Sequence, residues 1–186
     1  MKLIVGITGA SGAPYVKRFL EVVSLHALIE VVASPTGVQV FSEETGEDLK
    51  VFLDSLNIPL HDNSSYYNEL ASGSNEFDAM LVFPCTMGTL SRISCGISDT
   101  LLTRVADVAL KERRKLILLT REAPLSIIHL ENQLRISKMG GIIFPLSPAF
   151  YHKPEEIGDM IDFVVERVCD QLNLHPGLIN GWKPGR

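Results

Sequence analysis

Asp78-Ala79-Met80-Leu81-Val82-Phe83-Pro84-Cys85-Thr86-Met87-Gly88-Thr89-Leu90 decides the fold. An apolar run of strand length is followed by small hydroxyl residues and a glycine, the punctuation of a turn into a helix. A strand this apolar is buried on both faces, as in the middle of a parallel sheet. Toward the N-terminus, residues 2–8 and 28–34 are two further strands of this kind, with a helical pattern over 14–25 between them. Toward the C-terminus, residues 115–120 and 141–146 give a fourth and a fifth.

Helical stripes fill the gaps. Ser98-Asp99 precedes Leu101, Leu102, Val105, Val108 and Ala109. Ser126 precedes Ile127, Leu130 and Leu134, and Gly140-Gly141 closes that helix. A last helix begins near Pro154 and carries Ile157, Ile161, Val164, Val165, Val168 and Leu172 on one face. Strands alternating with helices predict an α/β fold of three layers. Its sheet is doubly wound, mainly parallel and flavodoxin- or Rossmann-like. Residues 48–74 have no strong period and read as a helical or irregular excursion over the sheet. The 186 residues fit one domain, with 173–186 as an extended tail rich in Pro and Gly.

Composition narrows the function. The net charge of −5 argues against a nucleic-acid binder, whose affinity rests on basic surface. The three cysteines match no zinc pattern and are too few and odd for a disulfide framework, so a reducing cytoplasm is expected. No signal peptide is expected, and residues 1–8 are too short an apolar run to span a membrane. The five histidines are scattered without metal spacing, and no metal is expected.

A doubly wound sheet places its ligand beyond the carboxyl ends of the strands. Gly6-Ile7-Thr8-Gly9-Ala10-Ser11-Gly12 follows the first strand. Its glycines let backbone approach a phosphate, and the next helix N-terminus favours an anion, although a plain tight turn gives the same sequence. Thr86, Met87, Gly88 and Thr89 suit a flavin ring or phosphate, or simple N-capping by Thr86. Cys85 reads as a small buried core residue rather than a nucleophile. Arg121-Glu122 ends the fourth strand: arginine binds phosphate or a flavin carbonyl, and a desolvated glutamate moves protons, whereas an exposed pair does neither. Arg104 and Lys111 share a helix face and suit a phosphate, with Asp107–Lys111 as an i,i+4 pair. Glu131–Arg135 is another such pair. Tyr151 is a phosphate donor candidate, and Arg167 among valines is either snorkelling or part of a site.

Together and in this order, these motifs resemble the UbiX-type flavin prenyltransferases. The similarity rests on Gly9-Ala10-Ser11-Gly12, Pro84 to Leu90, Leu101 to Arg104, Arg121 to Ser126, His129 to Asn132, and Pro148 to Pro154. The resemblance implies transfer of a dimethylallyl group from dimethylallyl monophosphate to reduced FMN, without a metal. The product would be prenylated FMN for a separate UbiD-type decarboxylase. It implies a homo-oligomer, typically a dodecamer, whose active sites are completed by neighbouring subunits. Matched to the family pattern, Gly9, Ala10, Ser11, Ser34, Thr86 to Thr89 and Arg121 would bind FMN. Tyr151, Arg167, Lys111 and Arg104 would hold the prenyl phosphate, and Glu44, Glu122, Ser11 and Lys111 would stand closest to the chemistry. Trp182 would cover the site or simply anchor the tail.

Ser34-Pro35 departs from the family's Ser-Lys, and residues 48–74 show little likeness apart from Ser72-Gly73-Ser74. An aromatic expected ahead of that stretch is matched by Tyr66 or Tyr67. Two alternatives remain at this point. One is a relative of the flavin-dependent cysteine decarboxylases, disfavoured because no asparagine stands in the turn after Pro84. The other is an FMN carrier or accessory subunit, which would need no second phosphate site.

Overall fold

The computed structural model describes residues 1–179. Six parallel strands form one sheet: β1 (Lys2–Ile7), β2 (Leu28–Ala33), β3 (Leu60–Asp62), β4 (Ala79–Cys85), β5 (Lys115–Thr120) and β6 (Ile142–Pro145). Their order is β3-β2-β1-β4-β5-β6. Between β1 and β4 the winding reverses, and doubly wound sheets bind their ligands beside such a switch point.

The pleat sorts the core. Leu3, Val5 and Ile7 of β1 join one apolar cluster, while Ile4 joins the other. The first cluster packs under α1 (Ala13–Val23), α2 (Pro35–Thr45), α3 (Leu49–Ser55) and α7 (Ile157–Gln171). The second packs under α4 (Met87–Ser94), α5 (Leu101–Lys111) and α6 (Ile127–Lys138). Every residue of β4 is buried, as its unbroken apolar run requires.

Local chemistry fixes the helix ends. Ser126 caps α6 and Thr86 caps α4, each accepting the amide three residues on. For α5 the cap is Thr100, not Ser98-Asp99. Thr100 and Thr103 satisfy each other's amides, while Asp99 turns to Arg92. The last helix starts at Ile157 rather than near Pro154, because Asp159 accepts the amides of Glu155 and Glu156. Residues 48–74 hold α3, the edge strand β3 and one 3-10 turn, Glu69–Ala71. Helix α2 was not foreseen either, since it buries only Gly37 and Phe41. Beyond α7 the chain has no further helix or strand up to residue 179, and Leu178 donates its amide to Glu166. Trp182 lies outside the described residues.

Candidate active site

Four loops meet at this switch point, at the carboxyl ends of β1, β2, β4 and β5. Thr8 ties the two central ones together: its Oγ1 donates to the Pro84 carbonyl at 2.7 Å and accepts the Thr86 amide at 2.9 Å. The bare backbone of Gly9 lies directly against the start of α2. A Cβ at Gly9 would meet Thr36 Cγ2 at 2.5 Å, so the chain passes too closely for any side chain. Ser34 caps α2 by accepting the Gly37 amide at 3.0 Å. Pro35 fits the first helical position, where an amide would have no helical partner. The amides of Gly9, Ala10 and Ser11 donate to no group among the described residues. They form a cradle suited to a phosphate or a flavin carbonyl. Thr8 and Thr36 were not singled out from sequence. The threonine directly ahead of the first glycine was the available signal.

The anion at the N-terminus of α1 is the protein's own. Glu44, on α2, accepts the Gly12 amide at 2.9 Å and the Ala13 amide at 2.8 Å. Desolvation pushes this carboxyl upward. Hydrogen bonds from Ser11, Gly12 and Ala13, with the charge of Arg121, outweigh it and hold the group below the usual carboxylate range. The end of α1 thus already carries a carboxylate. Arg121 donates from Nε to the Ser11 carbonyl at 3.4 Å. Ser11, Glu44 and Arg121 thus form one charged cluster at the switch point. Glu122 follows Arg121 in the same loop and is exposed.

The remaining candidates divide between the two faces of the sheet. Tyr151 follows β6 and sets its ring edge-on to Phe163 of α7, at 5.5 Å between centroids. Arg167 lies one turn further along α7 and pairs with Asp170 at 2.5 Å. Arg104 and Lys111 belong to α5, on the opposite face. Arg104 donates to the Ala71 carbonyl at 3.1 Å and pairs with Asp107 at 2.7 Å. Lys111 pairs with Glu112, so the expected Asp107–Lys111 pair gives way to these neighbours. The sheet stands between Tyr151 with Arg167 and Arg104 with Lys111, so one chain does not bring all four to one phosphate. Arg135 likewise reaches Cys95 Sγ, at 3.7 Å, instead of Glu131. Cys85 is fully buried, and desolvation pushes its thiol far up, as befits a core residue.

A family model described as Flavoprotein matches residues 1–169. A flavin prenyltransferase UbiX of Methanocaldococcus jannaschii is 47% identical over 182 residues, covering 98% of each chain. The chain belongs to the UbiX flavin prenyltransferases. The UbiX of Thermoplasma acidophilum is 43% identical over 98% of this chain and 100% of its own. Among solved structures of the UbiX type, one described as a dodecameric FMN-dependent UbiX-like decarboxylase from Escherichia coli O157:H7 superposes with TM-score 0.95. It is 40% identical, covering 98% of this chain and 100% of its own. AnUbiX (PadA1), in complex with FMN and dimethylallyl pyrophosphate, gives TM-score 0.96 at 37% identity, with 100% and 98% covered. The peptidyl-cysteine decarboxylase EpiD shares only the fold with this UbiX chain, at TM-score 0.60 and 21% identity.

Proposed function

We propose that this chain joins the dimethylallyl group of dimethylallyl monophosphate to N5 and then C6 of reduced FMN. The prenylated FMN so made serves a separate UbiD-type decarboxylase in the cytoplasm. The observation that carries the proposal is the Ser11–Glu44–Arg121 cluster beside the loop amides, at the point where the sheet winding reverses. Flavin and phosphate recognition meet there next to a fixed carboxylate.

The chemistry asks for three things. The allylic carbon–oxygen bond breaks as N5 attacks, and the leaving phosphate takes the bonding electrons. Cations and a phenol donor stabilise that phosphate, the role proposed for Lys111, Arg104 and Arg167 with Tyr151. Glu44, held ionised beside Ser11 and Arg121, is the carboxylate proposed to steady the cation-like prenyl fragment. Alkylation frees the N5 proton; its return to the alkene carbon beside the N5-bound one makes a tertiary cation, which C6 attacks. The departing phosphate, or Glu122 relayed through Ser11, takes the C6 proton.

Because the cations lie on opposite faces of one chain, the complete phosphate site draws on more than one copy. Helix α6 supports assembly. It buries only Ile136, while Ile127, Ile128, Leu130 and Leu134 are exposed. An apolar face of this kind is covered in a stable protein. A dodecamer, as described for the Escherichia coli relative, would supply the cover. Three free cysteines suit a reducing compartment.

The test is anaerobic incubation with reduced FMN and dimethylallyl monophosphate, then mass spectrometry of the extracted flavin. A flavin heavier by one five-carbon unit is the expected result, and unchanged flavin would overturn the proposal. Glu122→Gln is expected to keep FMN affinity and lose turnover, and loss of FMN binding instead would refute its assigned role.

A further inference from the structure

A polar network runs across the edge strands of the sheet. Lys2 of β1, Glu30 of β2 and His61 of β3 project to the same face, set by the pairings Ile4–Glu30 and Val32–His61. Lys2 Nζ pairs with Glu30 Oε1 at 2.7 Å, and Glu30 Oε2 meets His61 Nε2 at 2.5 Å. His61 Nδ1 lies 2.9 Å from Asn68 Nδ2. Asn68 Oδ1 already accepts the Leu70 amide at 2.9 Å, so the side-chain amide has only its NH₂ to offer the imidazole. This fixes the tautomer: Nδ1 accepts, and Nε2 carries the proton it donates to Glu30.

The network ends on one short segment, residues 68–75. Asn68 holds its start. Asn75 Oδ1 accepts from Lys2 Nζ at 3.2 Å at its end. From the other side, Arg104 donates to the Ala71 carbonyl at 3.1 Å. Arg114 donates to the carbonyls of Gly73 at 2.7 Å and Asn75 at 2.6 Å. Gly73 is packed so closely on Lys111 and Glu112 that a Cβ there would collide with both. The segment therefore lies against both Arg104 and Lys111, and among the described residues Glu30 joins its two sheet-side tethers.

We infer that Glu30 and His61 are positioning residues for the prenyl phosphate, acting through residues 68–75 on Arg104 and Lys111. The inference rests on the proposed role of those two cations. Replacing Glu30 by Gln sets an amide NH₂ or a neutral oxygen where a carboxylate faced both Lys2 and His61. One tether is then mismatched, and the mismatch passes through the imidazole to Asn68. His61→Phe removes donor and acceptor together. Gln at 61 keeps both on one planar group and should preserve the chain of bonds.

The experiment measures KM and kcat for dimethylallyl monophosphate at saturating reduced FMN, on whole protein shown folded by circular dichroism. Glu30→Gln and His61→Phe are expected to raise KM by about tenfold, the scale of losing a hydrogen bond to a charged group. The same variants should leave kcat within about twofold and FMN affinity unchanged, because Glu30 and His61 bond only to Lys2, to each other and to Asn68 among the described residues. His61→Gln should return KM to within about twofold of the parent. Should His61→Phe fail to fold, Glu30→Gln carries the test. Lower thermal stability with unchanged KM would mean a merely structural network and would overturn the inference. Lys111→Ala separates the premise: if it leaves KM unchanged, the phosphate role of α5 fails and the inference with it. If it raises KM while Glu30→Gln and His61→Phe do not, the inference alone fails.

Discussion

Replacing Glu44 by Gln keeps an acceptor for the Gly12 and Ala13 amides but removes the charge at the N-terminus of α1. Two hydrogen bonds of 2.9 and 2.8 Å pass from charge-assisted to neutral. An anion at a helix N-terminus contributes about 0.3–1 kcal/mol. Charge-assisted bonds exceed neutral ones by about 1 kcal/mol. Glu44 reaches solvent, so screening discounts the sum to about 1 kcal/mol. For a chain of this size that is a fall in Tm of about 2–4 °C, compared at equal protomer concentration because assembly is coupled to folding. Glu44→Ala removes the acceptor as well and should cost about 1–2 kcal/mol, the range for a lost N-cap.

The pH dependence gives the sharper check. The folded Glu44 carboxyl titrates below its unfolded value, so its contribution is fully present above the unfolded value of about 4.3. It is lost as pH falls through the depressed folded value. Thermal melts of parent and Glu44→Gln should therefore differ at pH 7 and converge as pH drops below about 4. Equal Tm at pH 7, or a gap that persists in acid, would refute the assignment of Glu44 as the anion of α1.

Gly9→Ala should weaken FMN binding by at least about tenfold, since the new methyl meets Thr36 and displaces α2 from the cradle. Fluorescence titration with FMN reads the loss, and unchanged affinity would mean the two loops are not closely coupled. Ile128→Asp on the exposed face of α6 should convert the assembly to smaller species in light scattering and abolish turnover. An intact oligomer would show that this face is not between copies. Cys85 and Cys169 should resist thiol reagents at pH 8 until denaturant is added, because burial pushes the Cys169 thiol up to about 12 and the Cys85 thiol further.

Local patterns in the chain determined much of this protein. The unbroken apolar run of β4, the β-branched run of β2 and the serine ahead of α6 act over a few residues, so strand and cap follow from composition and spacing alone. The loops after β1 and β4 were legible for the same reason, because a strand ending in glycines and hydroxyl residues marks its own turn. The three-residue strand β3 and the sparsely buried α2 carry too few apolar positions to show a period, and they form because the sheet edge and the core beneath them accept them. Tertiary structure alone decided the charged partners. Glu44 and Gly12 are brought together only when α2 folds back over the end of β1, and Thr8 spans to Pro84 only because β1 and β4 are neighbours. The same sheet that unites those residues stands between Tyr151 and Lys111. Short-range sequence encodes which elements form, whereas the long-range winding of the chain settles which charges meet.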